Sequence, residues 1–144
     1  MSAPRPERVR CRAPDLAIER KYDGFLPGRY PIDSIGAGGF QFGGMSHRGS
    51  LLALPDGIRA FAPETFAEVD EASLAPLFAL PRGSVELMLF GCGRSIAPIP
   101  PALRQKLRNL GISCDPMSTS AACQTFNILL GERRLVGAAL ISVP

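Results

Sequence analysis

Between residues 85 and 141 of this chain, apolar strand-like runs alternate with segments of helical period, and no other feature limits its fold as much. Val85-Glu86-Leu87-Met88-Leu89-Phe90 is nearly all apolar, as a strand covered on both faces must be. Pro101 to Leu110 places Leu103, Leu107 and Leu110 on one face of a helix, with Arg104 and Arg108, four apart, on the other. Gly111 is the expected stop. A short strand over 112–117 follows. Ser118 or Thr119 then caps a helix over 120–130 whose inner stripe is Ala122, Phe126 and Leu129. A last buried strand covers 135–141. Strand, helix, strand, helix, strand with right-handed crossovers predicts an α/β domain with parallel strands at 85–90, 112–117 and 135–141.

The first half has a different period. From about 32 to 61 short alternating runs, among them Phe40-Gln41-Phe42, are separated by Gly36, Gly38-Gly39, Gly43-Gly44 and Pro55-Asp56-Gly57, which predicts an antiparallel β-meander. Residues 62–80 read as mostly helical and broken by Pro76, with Thr65 and Ser73 as candidate caps. Residues 1–28 read as a flexible basic arm, and 29–144 as one α/β domain. Phe25 to Tyr30 suits either a strap across that domain or a partner-binding arm. A chain of 144 residues buries about 68–70% of its unfolded surface, so the core needs no metal or disulfide. A hydrophobic content of 46% excludes disorder throughout, and no apolar run is long enough to span a membrane.

Charge and cysteine usage exclude further classes. Residues 1–29 hold seven of the 16 bases and four of the 13 acids, leaving nine of each in residues 30–144. A body without excess charge argues against a nucleic-acid partner. The basic face of Arg104, Lys106 and Arg108 lacks the stacking aromatics such binding needs and reads as solvated. Cysteines at 11, 92, 114 and 123 form no CxxC pair and the one histidine is His47, so no metal site and no cofactor is expected. With no signal-peptide stretch near the start, the expected location is cytoplasmic.

A family resemblance enters through particular stretches. They are Phe90-Gly91-Cys92-Gly93, Ile96-Ala97-Pro98, Leu103-Arg104 through Arg108, Gly111-Ile112, Met117-Ser118-Thr119, Ala121 to Asn127 and Ala138 to Ile141. Together they resemble a widespread small-domain family of bacteria and archaea without known biochemical activity, whose mitochondrial relative is an assembly factor for respiratory complex I. The resemblance implies a three-layer domain around a mixed central sheet, with an antiparallel β layer beside the helices, and no catalytic residues. It also implies a helper role through protein contacts. The chain departs from the family at Cys92, where Thr is common between the two glycines, and at Ser118, where Asp often precedes the helix-cap Thr.

The candidate site is the crevice beyond the carboxyl ends of the parallel strands, where open α/β sheets bind ligands. Gly91, Cys92, Gly93 and Arg94 after the first strand, and Asp115, Ser118 and Thr119 at the second helix, are expected to meet there, joined by Arg104 if its helix starts nearby. Two glycines, free N–H groups and an arginine suit a small polar or anionic ligand. The plainer reading is a tight turn. Asn127, polar in an apolar helix, either faces that ligand or ties the helix to a loop. Glu86 is expected at an edge or in an ion pair. The competing class is an enzyme with Cys92 as nucleophile and Arg94 or Arg104 as anion clamp; it needs a base beside the thiol. The expected function is a soluble protein-interaction or assembly domain with a protein client. A homodimer through the β layer is compatible with the pattern.

Overall fold

A computed structural model of the protein describes residues 24–144. In chain order its strands are β1 (Phe25–Pro27), β2 (Ser34–Gly36), β3 (Gly39–Phe42), β4 (Met45–Arg48), β5 (Ser50–Leu54), β6 (Gly57–Phe61), β7 (Leu87–Gly91), β8 (Ser113–Met117) and β9 (Val136–Leu140). The helices are α1 (Ala75–Phe78), α2 (Pro101–Asn109) and α3 (Thr119–Gly131), with a 3₁₀ turn at Phe66–Glu68. A six-stranded sheet runs β1-β6-β5-β9-β7-β8, and β2-β3-β4 form a separate three-stranded sheet. β7 pairs parallel with both β8 and β9, and every other pairing is antiparallel. The domain is thus an α/β fold with a mixed central sheet and three parallel strands where the strand-helix alternation predicted them.

Strand alternation divides the core in two. On one face Leu52, Leu54, Met88, Phe90 and Ala139 pack with Leu103 and Leu107 of α2 and with Leu74 and Leu77 around α1. On the other, Leu51, Ala53, Leu89, Ala138 and Leu140 pack with Ala122, Cys123 and Phe126 of α3 and with Phe40 and Phe42 of the small sheet. This makes three layers, one of them shared by α3 and the small sheet. The meander over 32–61 is antiparallel throughout but is divided. Its first three strands form the small sheet, and β5 and β6 extend the central one. β5 (Ser50-Leu51-Leu52-Ala53-Leu54) is buried at every position, and only a place inside the larger sheet covers both of its faces.

Three local expectations are revised. The stretch 62–80 contains only the 3₁₀ turn and the four residues of α1. Ser73 does not cap that helix; it exchanges bonds with Asp70, Ser73 N–H donating to the Asp70 carboxylate at 2.8 Å and Asp70 N–H to the Ser73 hydroxyl oxygen at 3.0 Å. Such local side-chain bonds compete with helix. Second, the boundary expected at residue 28 falls after a strand, because β1 pairs with β6 from Phe25 to Pro27. The remainder of the expected arm, residues 1–23, lies outside the described residues. Third, Glu86 precedes β7 and is exposed.

β8 forms one edge of the central sheet. Ser113 N–H donates to the Glu86 carbonyl and Cys92 N–H to the Met117 carbonyl. Parallel ladders alternate, so Ser113, Asp115 and Met117 face β7, and the main chain of Cys114 and Pro116 faces outward. Pro116 therefore costs the ladder no bond.

Leu107 is fully buried between α2 and the sheet. Leu107→Ala is expected to lower stability by about 2–5 kcal/mol in urea unfolding without changing the far-ultraviolet spectrum.

Candidate functional site

At the carboxyl ends of β7 and β9 the chain is tied together by one side chain. The Thr119 hydroxyl accepts a bond from Gly93 N–H at 2.9 Å and donates to the Ile141 carbonyl at 2.7 Å. Thr119 N–H donates to the Gly93 carbonyl at 2.8 Å. Ile141 N–H reaches the Gly91 carbonyl at 2.9 Å, and Cys92 N–H the Met117 carbonyl at 2.8 Å. The loop after β7, the first turn of α3 and the end of β9 thus form one hydrogen-bonded unit, with Thr119 fully buried at its centre. Gly91 is required by this packing: a Cβ there would lie 2.9 Å from the Thr119 Cα and 3.1 Å from Leu140. The close approach that this glycine permits is to α3. Gly93 supplies a φ of +99°, which L side chains rarely adopt. Ser118 caps α3, its hydroxyl accepting from Ala121 N–H at 3.2 Å.

Above this unit is an open cavity of about 390 Å³ lined by Ile35, Gly93, Arg94, Ser118, Ser120, Val143 and Pro144. The turn after β7 and the helix start therefore open on one rim, with Arg94 as its cation. Four of its lining residues, Ile35, Ser120, Val143 and Pro144, were not among the sequence candidates. They come from the small sheet, the helix start and the segment after β9, and no motif links them. Gly38 N–H donates to the Val143 carbonyl at 2.8 Å, which holds that last segment against the small sheet.

The remaining candidates lie elsewhere. Asp115 is exposed on β8. Arg104 does not reach the rim; it lines a separate cavity with Arg108, Ile112, Ser113 and Cys114. Asn127 sits about 12 Å along α3 from Thr119, at 1.5 Å per residue. Its carboxamide accepts from Ile32 N–H and donates to the Ile32 carbonyl, both at 2.8 Å, and so ties the helix to the segment before the small sheet. A further cavity of about 570 Å³ lies on the small sheet between Ser34, Gln41, Ser46 and Arg48, and none of the sequence candidates lines it.

Cys92 is half-buried and packs toward α2 rather than the rim. Its thiol lies against the carbonyl oxygens of Phe90 at 3.5 Å and Ala97 at 3.7 Å. Burial pushes its pKa up, against smaller lowering by the main chain at Ala97 and Met117. His47 is on β4, where Nε2–H donates to the Ser50 carbonyl at 2.9 Å. Cys123 lies in the core beneath α3, and burial pushes its thiol from 9.0 up to about 12. Among the described residues no group of three or more His, Cys, Asp or Glu could hold a metal ion. No helix among them is long and apolar enough to cross a membrane.

A mixed sheet with α3 and a small β-sheet on one face, fastened at the strand ends by a helix-cap threonine, defines a distinct class of small α/β domain. The chain belongs to the family described as "Protein of unknown function (DUF498/DUF598)", which it matches over residues 32–141. It is 44% identical over 117 residues to an uncharacterised protein of Rhodobacter capsulatus, covering 81% of this chain and 88% of that one. It is 30% identical over 136 residues to the mouse protein named NADH dehydrogenase [ubiquinone] 1 alpha subcomplex assembly factor 3, covering 92% of this chain and 73% of that one. A crystal structure described as an outer membrane protein from Bartonella henselae superposes with a TM-score of 0.77 at 40% identity, covering 82% of this chain and 98% of that one.

Thr119→Val leaves two main-chain partners of the hydroxyl unpaired and is expected to cost about 2–4 kcal/mol in chemical unfolding. Thr119→Ser keeps both bonds, and its expected cost is about 1 kcal/mol. The Cys123 shift has a definite sign. The folded thiol is held protonated, so its contribution is fully present below pH 9 and falls as pH rises toward 12, where the unfolded thiol ionises first. Melting temperatures measured from pH 8 upward should fall more steeply for wild type than for Cys123→Ala.

Proposed function

We propose that this protein is an assembly-factor-like domain that acts by holding another protein, with the cavity at the strand ends available to a small polar or anionic ligand. The observation that carries the reading is the outer face of α3. This 13-residue helix contains no charged residue, yet Ser120, Gln124 and Ile128 are exposed along it, and Ile128 is 62% accessible. A helix facing only water normally sets charge on its outer side. Depletion of charge around an exposed aliphatic side chain is instead the mark of an interface centre. The partner that suits it offers an apolar, uncharged face of its own. Membership of a family that includes assembly factor 3 of mammals supports a protein client. The cytoplasm is the compartment we assign to it.

The competing reading, an enzyme built on Cys92, has less support. A nucleophilic thiol wants a lowered pKa and a base within reach. The Cys92 pKa is raised, and its thiol contacts are carbonyl oxygens.

The test is capture from native lysate with wild type and Ile128→Asp as baits, each checked for an unchanged melting curve, and with captured proteins identified by mass spectrometry. Wild type is expected to retain a stoichiometric partner, and the aspartate variant to lose at least about tenfold in affinity, or 1.4 kcal/mol. Equal retention by both baits would remove α3 from the interface. Rapid alkylation of Cys92 below pH 8 would favour the enzyme.

A further inference from the structure

A second place in the domain gathers charge without balancing it. Arg104 and Arg108, one turn apart on α2, line a cavity of about 280 Å³ with Ile112, Ser113 and Cys114 at the outer edge of β8. No acidic residue among the described residues lines it. Arg104 is half-buried, and neither arginine has an ion pair among the described residues. Their neighbour Lys106 differs: it pairs with Glu71 and lies over the Phe78 ring. The Cys114 N–H belongs to the outward-facing set of the edge strand and has no main-chain partner among the described residues. Both guanidiniums act on the Cys114 thiol, each lowering its pKa against the larger raising effect of burial, so their fields converge on one point. The helix C-terminus accounts for a cation at Arg108. It does not account for Arg104, a full turn earlier and facing the same strand. Like charges four apart on a helix repel, and here both project over the same edge strand.

We propose that Arg104, Arg108 and the outward N–H of Cys114 form a binding site for a phosphate group. Two guanidinium forks call for two negative charges on one centre. A dianionic phosphate supplies both, whereas a single carboxylate leaves one fork unmatched. The cavity is open to solvent at the sheet edge, so the phosphate is either the free ion or a monoester carried by a larger molecule. This site is separate from the rim cavity and from the outer face of α3, and it stands whether or not those bind a partner.

Cys114 reports on the site directly. Alkylation of the full chain by iodoacetamide, read peptide by peptide by mass spectrometry at constant ionic strength, is followed as inorganic phosphate replaces chloride. Bound phosphate neutralises both guanidiniums and covers the thiol. Cys114 labelling is therefore expected to slow several-fold and to saturate, with Cys92 in the same sample unaffected. Arg104→Gln with Arg108→Gln should label more slowly without phosphate and show no response to it. A Cys114 rate that phosphate leaves unchanged, or an equal response in the double variant, overturns the site. Wild-type amide shifts give an independent reading that needs no variant: phosphate should move the Cys114 amide, and an unmoved amide overturns the proposal equally. Glycerol phosphate in a parallel titration tells the sources apart. A response to it extends the site to monoesters, and a response to inorganic phosphate alone confines it to the free ion.

Discussion

The hydroxyl of Thr119 determines how the carboxyl ends of the sheet are arranged. It sits where three segments far apart in sequence would otherwise present unpaired main-chain groups to the core, and it satisfies one on each side, at Gly93 and Ile141. Burying those groups unpaired would cost more than the bonds themselves contribute. Gly91 has no side chain so that α3 can start against β7, and Gly93 turns the loop back over that start. The cavity beside Arg94 is therefore a consequence of the clasp. Its walls are the outer surfaces of the segments that Thr119 holds, together with Ile35 of the small sheet.

How much of this could be read in advance depends on the kind of signal. The parallel strands β7 and β9 were legible because runs such as Leu87 to Phe90 suit a sheet covered on both faces, whereas β8, with Ser113 and Asp115 exposed, was legible only from its place between two helical stretches. The α3 cap was legible because Ser118 and Thr119 stand directly before an apolar-periodic stretch. The division of the meander was not. Alternation in Phe40-Gln41-Phe42 fixes a strand but not which sheet it joins, although the unbroken burial of β5 had a counterpart in Leu51-Leu52-Ala53-Leu54. The helical reading of 62–80 failed because Asp70 and Ser73 bind each other's main chain, a choice that propensity does not reveal. Arg104 was expected at the rim only if its helix began nearby, and it lines a different cavity. The rotation of α2 about its axis, set by Leu103 and Leu107, turns it toward β8 instead.

Glycine and cysteine signals were ambiguous in a physical sense. The same Gly-x-Gly can make room for a ligand or for a helix, and here the neighbour of Gly91 is a helix. A cysteine after a buried strand can be a nucleophile or filler, and the pKa of Cys92 moves in the direction that disfavours attack. Asn127 had the same two readings, and both ends of its amide are occupied by Ile32.

Pro116 has an effect beyond its own strand. A new strand docking on the open side of β8 would find the Cys114 amide as donor, and at the next outward position a nitrogen that carries no hydrogen. That margin of the sheet is poorly suited to templating, so copies of the molecule crowded together gain little by stacking margin to margin. Association through this half of the domain is left to side chains, which can discriminate between partners as a bare peptide ladder cannot.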